Sequence, residues 1–190
     1  MTQTGKLTSS VEQNNDLIGS SVAISGDYII VGAPGDGTNT GIAYVFEKPG
    51  GGWGDATEDA SLESSDAAKN EYFGTSVAIS SGHAVVGCPI IDTTKGAAYV
   101  FEKPGGGWSD ASEDQKLSGA DSAAGDEFGN AVDISGDYFI SGAHDDSNSE
   151  GSAYIFYNST SSVPEFSPYI YITTIFFGLM LIYIFRPKTA

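Results

Sequence analysis

The sequence is short of cations, sulfur and imidazole. Eight Lys and Arg face 25 Asp and Glu, and the formal charge is −17. Six of the eight are lysines before position 120; Arg186 and Lys188 stand at the far C-terminus. The body is therefore strongly acidic. That excludes nucleic acid and anionic lipid headgroups as its partners, since both require a basic surface. A single cysteine, Cys88, forms no internal disulfide and builds no thiolate zinc site. Before residue 167 no helical period is sustained. Against these shortages stand 40% apolar residues, 10 Tyr, 10 Phe and 25 Gly. A chain with that much apolar surface can bury a core, so its acidity does not signal disorder.

What fills the chain is a repeat in ungapped steps of 55 residues. Ile18-Gly19-Ser20-Ser21-Val22-Ala23-Ile24 returns as Phe73-Gly74-Thr75-Ser76-Val77-Ala78-Ile79 and as Phe128-Gly129-Asn130-Ala131-Val132-Asp133-Ile134. Val31-Gly32-Ala33-Pro34 returns as Val86-Gly87-Cys88-Pro89 and Ser141-Gly142-Ala143-His144. Ala43-Tyr44-Val45-Phe46 returns as Ala98-Tyr99-Val100-Phe101 and Ala153-Tyr154-Ile155-Phe156. Leu7, Leu62 and Leu117 keep the same spacing.

Inside each copy the hydrophobic period is two, which predicts strands. Ser76 to Ser80 alternates, Tyr28 to Val31 is a β-branched run, and Gly41 to Phe46 is a third strand. Trp53 to Leu62 reads as a fourth, more polar and so at the outer edge. Ser25-Gly26-Asp27 and Ser135-Gly136-Asp137 are tight turns between the first two strands. Four short antiparallel strands make one propeller blade.

Phe-Gly, the downstream Gly32-Ala33-Pro34 and the Ala-Tyr-Val-Phe strand together resemble the FG-GAP repeat, the blade of the integrin α-subunit propeller. The resemblance covers residues 5–157. It implies an all-β fold of three four-stranded antiparallel blades, at about 18–62, 73–117 and 128–157. It also implies extracellular adhesion or ligand binding through loops on one face. Residues 5–10 look like a fourth strand without its first three, and the last copy lacks its fourth strand, so 5–10 are placed to complete that blade. Three blades are fewer than the usual four to eight. Met1 aligns with Ala56 and Ala111, in mid-repeat. A truncated product, a fragment of a longer sequence, or assembly of several chains into one ring would each account for this.

The family's calcium loop, between the first and second strands, is replaced here by a tight turn and is not carried over. A different acidic loop precedes the third strand. Asp145, Asp146, Asn148 and Glu150, closing on Gly151, offer oxygens in a pattern that suits calcium. The equivalent loops, 36–41 and 91–96, carry Asp36, Asn39 and Asp92. Solvated acidic turns are the alternative reading of all three. With Asp145 and Asp146, these are the candidate binding loops, joined by 64–72 and 121–128.

Tyr169 to Phe185 is uncharged and long enough for one transmembrane helix. Arg186 and Lys188 behind it put the C-terminus in the cytoplasm and the acidic body outside, as a single-pass protein of the cell membrane. Residues 158–168, rich in Ser, Thr and Pro, form the stalk, and 186–190 the cytoplasmic tail. Pro164-Glu165-Phe166, the apolar stretch and the basic end resemble the PEP- and PEF-type sorting signals of prokaryotic surface proteins, which implies cleavage and another anchor; a permanent anchor is the alternative. Asn158-Ser159-Thr160 is a glycosylation sequon. No apolar segment follows Met1-Thr-Gln-Thr-Gly-Lys, and an exported body predicts a leader upstream of it.

No catalytic residues are assigned. His83 and His144 have no repeated partner and read as surface or loop-packing side chains, and Cys88 as a small buried hydrophobe. Trp53, Trp108, Phe73 and Phe128 read as packing between blades. Glu58-Asp59 and Glu113-Asp114 recur at one repeat position, which marks a structural role, since an active site is built once. The expectation is a non-enzymatic, membrane-anchored extracellular module that binds protein or glycan, without a required cofactor. A structural envelope protein packed against neighbouring chains is the second reading, and a fragment of a propeller enzyme the third.

Overall fold

The computed structural model describes residues 1–11, 14–66, 68–80 and 82–158. The three repeats fold as three successive antiparallel sheets within one body, Met1–Tyr157. After a short β1 (Leu7–Thr8), the first repeat places β2 (Ser21–Ser25), β3 (Tyr28–Ala33) and β4 (Ile42–Glu47) side by side, followed by β5 (Ala56–Thr57) and β6 (Ala60–Glu63). The second repeat places β7 (Ser76–Ile79), β8 (His83–Cys88) and β9 (Ala97–Glu102), then β10 (Ala111–Ser112) and β11 (Gln115–Leu117). The third has β12 (Phe128–Ser135), β13 (Tyr138–Ala143) and β14 (Ser152–Tyr157).

Pairing puts alternate residues on opposite faces of each sheet. On β3 and β4, Ile30 and Val45 share one face, Val31 and Tyr44 the other. In these central strands both faces are buried: Ile30 and Val45 at 0% exposure, Val31 at 5%. One core cluster joins Ile30, Val45 and Leu62 of the first repeat to Phe73, Val77 and Phe101 of the second. A second joins Val85 and Val100 to Phe128 and Phe139. Phe73 and Phe128, both fully buried, fill the gaps between sheets as expected, and each contributes roughly 1.5–3 kcal/mol of apolar burial. Trp108 joins the first cluster, and Trp53 packs on the outer face of the first sheet.

The seam between repeats is made of backbone. Gly41 bridges Phe73, and Gly96 bridges Phe128. Ser21 Oγ donates to the Gly74 carbonyl at 2.8 Å, and Ser76 Oγ to that of Gly129 at 2.7 Å. A Cβ on Gly32 would lie 2.0 Å from the Gly74 oxygen, and one on Gly87 2.0 Å from that of Gly129. Gly74 and Gly129 themselves hold φ near +90°. The Phe-Gly and Gly-Ala motifs are thus two halves of one joint, and only glycine lets the chains approach so closely.

The fourth strand differs from the single Trp53–Leu62 strand expected. It breaks at Glu58-Asp59. β6 pairs with β4 of its own repeat, whereas β5 pairs in parallel with β1, and β10 likewise with β6. Each repeat therefore lends a short strand to the one before it. Among the described residues, 5–10 are not paired with the last sheet: β1 pairs with β5, and β14 with β13. Among the described residues no helix is long and apolar enough to cross a membrane. The 169–185 stretch, Pro164-Glu165-Phe166 and the stalk beyond Asn158 lie outside the described residues.

Candidate functional site

Strand order brings two loops of each repeat to one end of its sheet: the turn before the third strand, and the connection from the fourth strand to the next repeat. The third strand begins there, and its tyrosine stands under both loops. Tyr44 donates to Asp36 Oδ2 at 3.4 Å, and Tyr99 to Asp66 Oδ1 at 2.7 Å. The Tyr154 hydroxyl lies 2.9 Å from Asp121 and 3.0 Å from Asp146, sharing one proton between them. Burial and its acidic neighbours Asp121 and Asp146 push Tyr154 up to about 12. Burial and the charge of Asp16 raise the Asp36 carboxyl. In the second repeat Ile91 occupies the place of Asp36 and Asp146, and Lys116 supplies the charge, at 2.6 Å from Asp66 and 3.6 Å from Asp92. Burial opposes ionisation of Asp66, but hydrogen bonds from Lys116, Ser64 and Tyr99 outweigh it and bring the carboxyl down to about 2.

Asp36, Asn39, Asp92, Asp146 and Asn148 fall in a left-handed turn that recurs at 36–39, 91–94 and 146–149, and Asp145 and Glu150 flank the last of these. Thr38, Asn39, Asp92, Thr93, Thr94, Ser147 and Ser149 all have φ between 53° and 69°. Side chains other than glycine resist this conformation, β-branched Thr most of all. The next repeat holds it in place. The Asn39 and Thr40 carbonyls accept the Tyr72 and Phe73 amides, and Asn39 Nδ2 donates to Asn70. The Thr94 and Lys95 carbonyls accept the Glu127 and Phe128 amides. The turn is therefore the seat of the neighbouring repeat as well as a surface loop.

Of the four candidate calcium ligands, Asp146 is buried at 7% exposure, its carboxylate taken by Tyr154 and Ser147. Hydrogen bonds from Ser152, then Tyr154, hold that carboxyl below its ordinary range. Asp145 instead meets His144 Nε2 at 3.7 Å, and Glu127 meets His144 Nδ1 at the same distance. Asn148 lies in the turn itself, and Glu150 borders a cleft of about 410 Å³ at the open side of the last repeat. Among the described residues, the trio Glu127, His144 and Asp145, with ligand atoms within 4.8 Å of one another, is an arrangement that could hold a cation. Sequence reasoning passed over it. The available signal was His144 in the place of Pro34 and Pro89, next to an acid.

The recurring carboxylates have structural work. Asp59 and Asp114 accept the Glu47 and Glu102 amides at 2.6 Å. Glu113 binds the Ser65 amide and hydroxyl of the preceding repeat, and Glu58 those of Ser10. Cys88 is fully buried, with its thiol on the Glu71 carbonyl, and burial pushes it up to about 12. His83 packs edge-on against Phe139.

A family model described as the FG-GAP repeat matches the chain three times, at residues 1–46, 56–101 and 111–156. Each match starts in the fourth-strand region of one sheet and ends in the third strand of the next, so it spans a seam. No curated protein matches the chain.

Proposed function

Because the chain belongs to the FG-GAP repeat family, we propose that it is a β-propeller module that binds a protein or glycan at its tyrosine–carboxylate end and catalyses nothing. The observation that carries this is the contrast between scaffold and rim. Tyr44, Tyr99 and Tyr154 recur unchanged, while the combination of charged side chains around them changes from repeat to repeat: Asp36, then Asp66 with Lys116, then Asp121 with Asp146. Varied loops on a rigid frame are how such scaffolds achieve selectivity. The net acidity of the chain favours a partner that presents cationic groups.

In this reading the body works outside the cell and is held at the membrane by residues 169–185, with Asn158 as the glycosylation acceptor of its sequon. Arg186 and Lys188 beyond the apolar stretch support that orientation. A glycan array and a set of basic peptides, both probed with the full chain, test the binding claim. Asp145→Ala combined with Glu127→Ala should abolish binding while the unfolding midpoint stays in place, because neither carboxylate is built into a seam. Asp146 is unsuitable as a probe, since Tyr154 depends on it. Binding untouched by the double variant, or turnover of any array glycan, would refute the proposal.

A further inference from the structure

We infer that the chain associates head to tail, the last blade of one copy docking on the first blade of a second through a repetition of its own internal seams. This does not depend on what the loop end binds.

Among the described residues, the two end faces of the body are exposed where the internal seams are buried. Ile30 and Val85 are 0% exposed where the next repeat covers them; Ile140, at the same position of the last repeat, is 39% exposed. Val45 and Val100 are at 0% and 4%, against 70% for Ile155. At the opposite end, Val77 is 8% exposed where it meets the preceding repeat, and its counterpart Val22 is 65% exposed. The exposed face of the last blade is thus of the kind that receives a following blade, and that of the first is of the kind that enters.

Backbone features match as well. The cleft of about 410 Å³ is lined by Ala131, Gly142, Gly151 and Ala153, the counterparts of the residues that seat Phe73-Gly74 and Phe128-Gly129. Gly142 is glycine although nothing among the described residues comes nearer than 3.7 Å to a Cβ placed there. β14 has an open edge, where β4 and β9 carry a fourth strand. β1 is a fourth strand that, among the described residues, pairs only with β5. The register of β4 with β6 and of β9 with β11, carried across copies, sets Ala153 of one chain against Leu7 of the other.

The occupant of each face is a second copy of this chain because each end matches the opposite end of the same molecule. Faces of this heterologous kind close a ring or propagate. The new joint has one hydrogen bond fewer than the internal ones, since Ala131 replaces Ser21 and Ser76. Both copies are strongly acidic, so added salt strengthens the association.

The test uses the full chain in mild detergent, with protein mass followed by light scattering over a dilution series. The wild type should show at least two chains of 19.7 kDa each, falling to one on dilution. Gly142→Ala, which blocks the receiving face, and Val22→Glu, which blocks the entering face, should each be monomeric with unchanged unfolding midpoints. Ile155→Glu stands in for Gly142→Ala if that variant does not fold. Mixed, the two single variants should form a one-to-one dimer, because each retains the half the other lacks. A wild type that is monomeric throughout overturns the inference. So does association that survives both substitutions, which would assign it to the apolar 169–185 segment, or a mixture that does not recombine.

Discussion

Ser141→Val should stabilise the protein. Ser141 stands on β13 where the other repeats have Val31 and Val86, and it faces the second sheet at 1% exposure. Its hydroxyl has no hydrogen-bond partner among the described residues. A hydroxyl buried in that state costs about 1–3 kcal/mol. Valine removes the cost and adds a methyl-sized group, worth about 0.8 kcal/mol once buried. Val31 and Val86, at 5% and 0% exposure, occupy the equivalent site, so the strand geometry accepts the shape. A gain of about 2 kcal/mol follows, which for a body of this size is about 4–8 °C in the unfolding midpoint. The assay is thermal and urea unfolding of Ser141→Ala, Ser141→Thr and Ser141→Val beside the wild type. Threonine keeps the hydroxyl and adds the methyl, so the difference between valine and threonine isolates the orphaned group. Equal midpoints for those two would show that the hydroxyl is satisfied. A valine variant less stable than the wild type would show that the seam has no room.

Three further outcomes follow from the same geometry. Gly87→Ala puts a Cβ 2.0 Å from the Gly129 oxygen, a backbone atom that cannot turn aside, and should cost about 3 kcal/mol or more in urea unfolding; an unmoved midpoint would refute the seam. Cys88, with its thiol pushed up to about 12 by burial, should resist a disulfide reagent in the native state and react at once in urea; rapid native reaction would place it at the surface. The Asp66 carboxyl, lowered from its ordinary 3.8 to about 2, contributes stability that is present above about pH 4 and is lost as pH falls through about 2. The group is 45% exposed, so the effect is modest. Asp66→Asn should flatten that part of the stability–pH curve, and parallel curves for the two proteins would refute the assignment.

How legible these features are in the sequence depends on what repeats. The seam residues recur because each sheet meets its neighbour in the same way. Phe73 and Phe128 must fill the gap, and Gly32, Gly74 and Gly87 must let backbones touch, so a 55-residue comparison finds them. The fourth strand is harder. Its polar run from Trp53 has no alternation to mark the break at Glu58-Asp59, because β5 serves the preceding sheet and β6 its own. The left-handed turns show the opposite failure. Gly37 and Asn39 hint at positive φ, but Thr93 and Thr94 do not, and the neighbouring repeat holds the conformation by taking the Thr94 and Lys95 carbonyls. Residues that read as free binding groups, Asn39 above all, are partly committed to the joint.

Glu127, His144 and Asp145 were invisible for a further reason: the first is 17 residues from the second, and no counterpart in another copy points to them. Internal similarity here records the joint, and a site built once leaves no trace in it. That separation also works in reverse. Where a joint residue persists without a joint, as Gly142 does beside an open cleft, its contacts among the described residues do not require glycine. The divergences sort the same way. Ala131 in place of Ser21 and Ser76 weakens a joint but does not obstruct it, whereas any side chain at Gly142 would obstruct it. The last repeat lacks the serine hydrogen bond of the two internal seams and keeps the clearance at Gly142, which is what the proposed association requires.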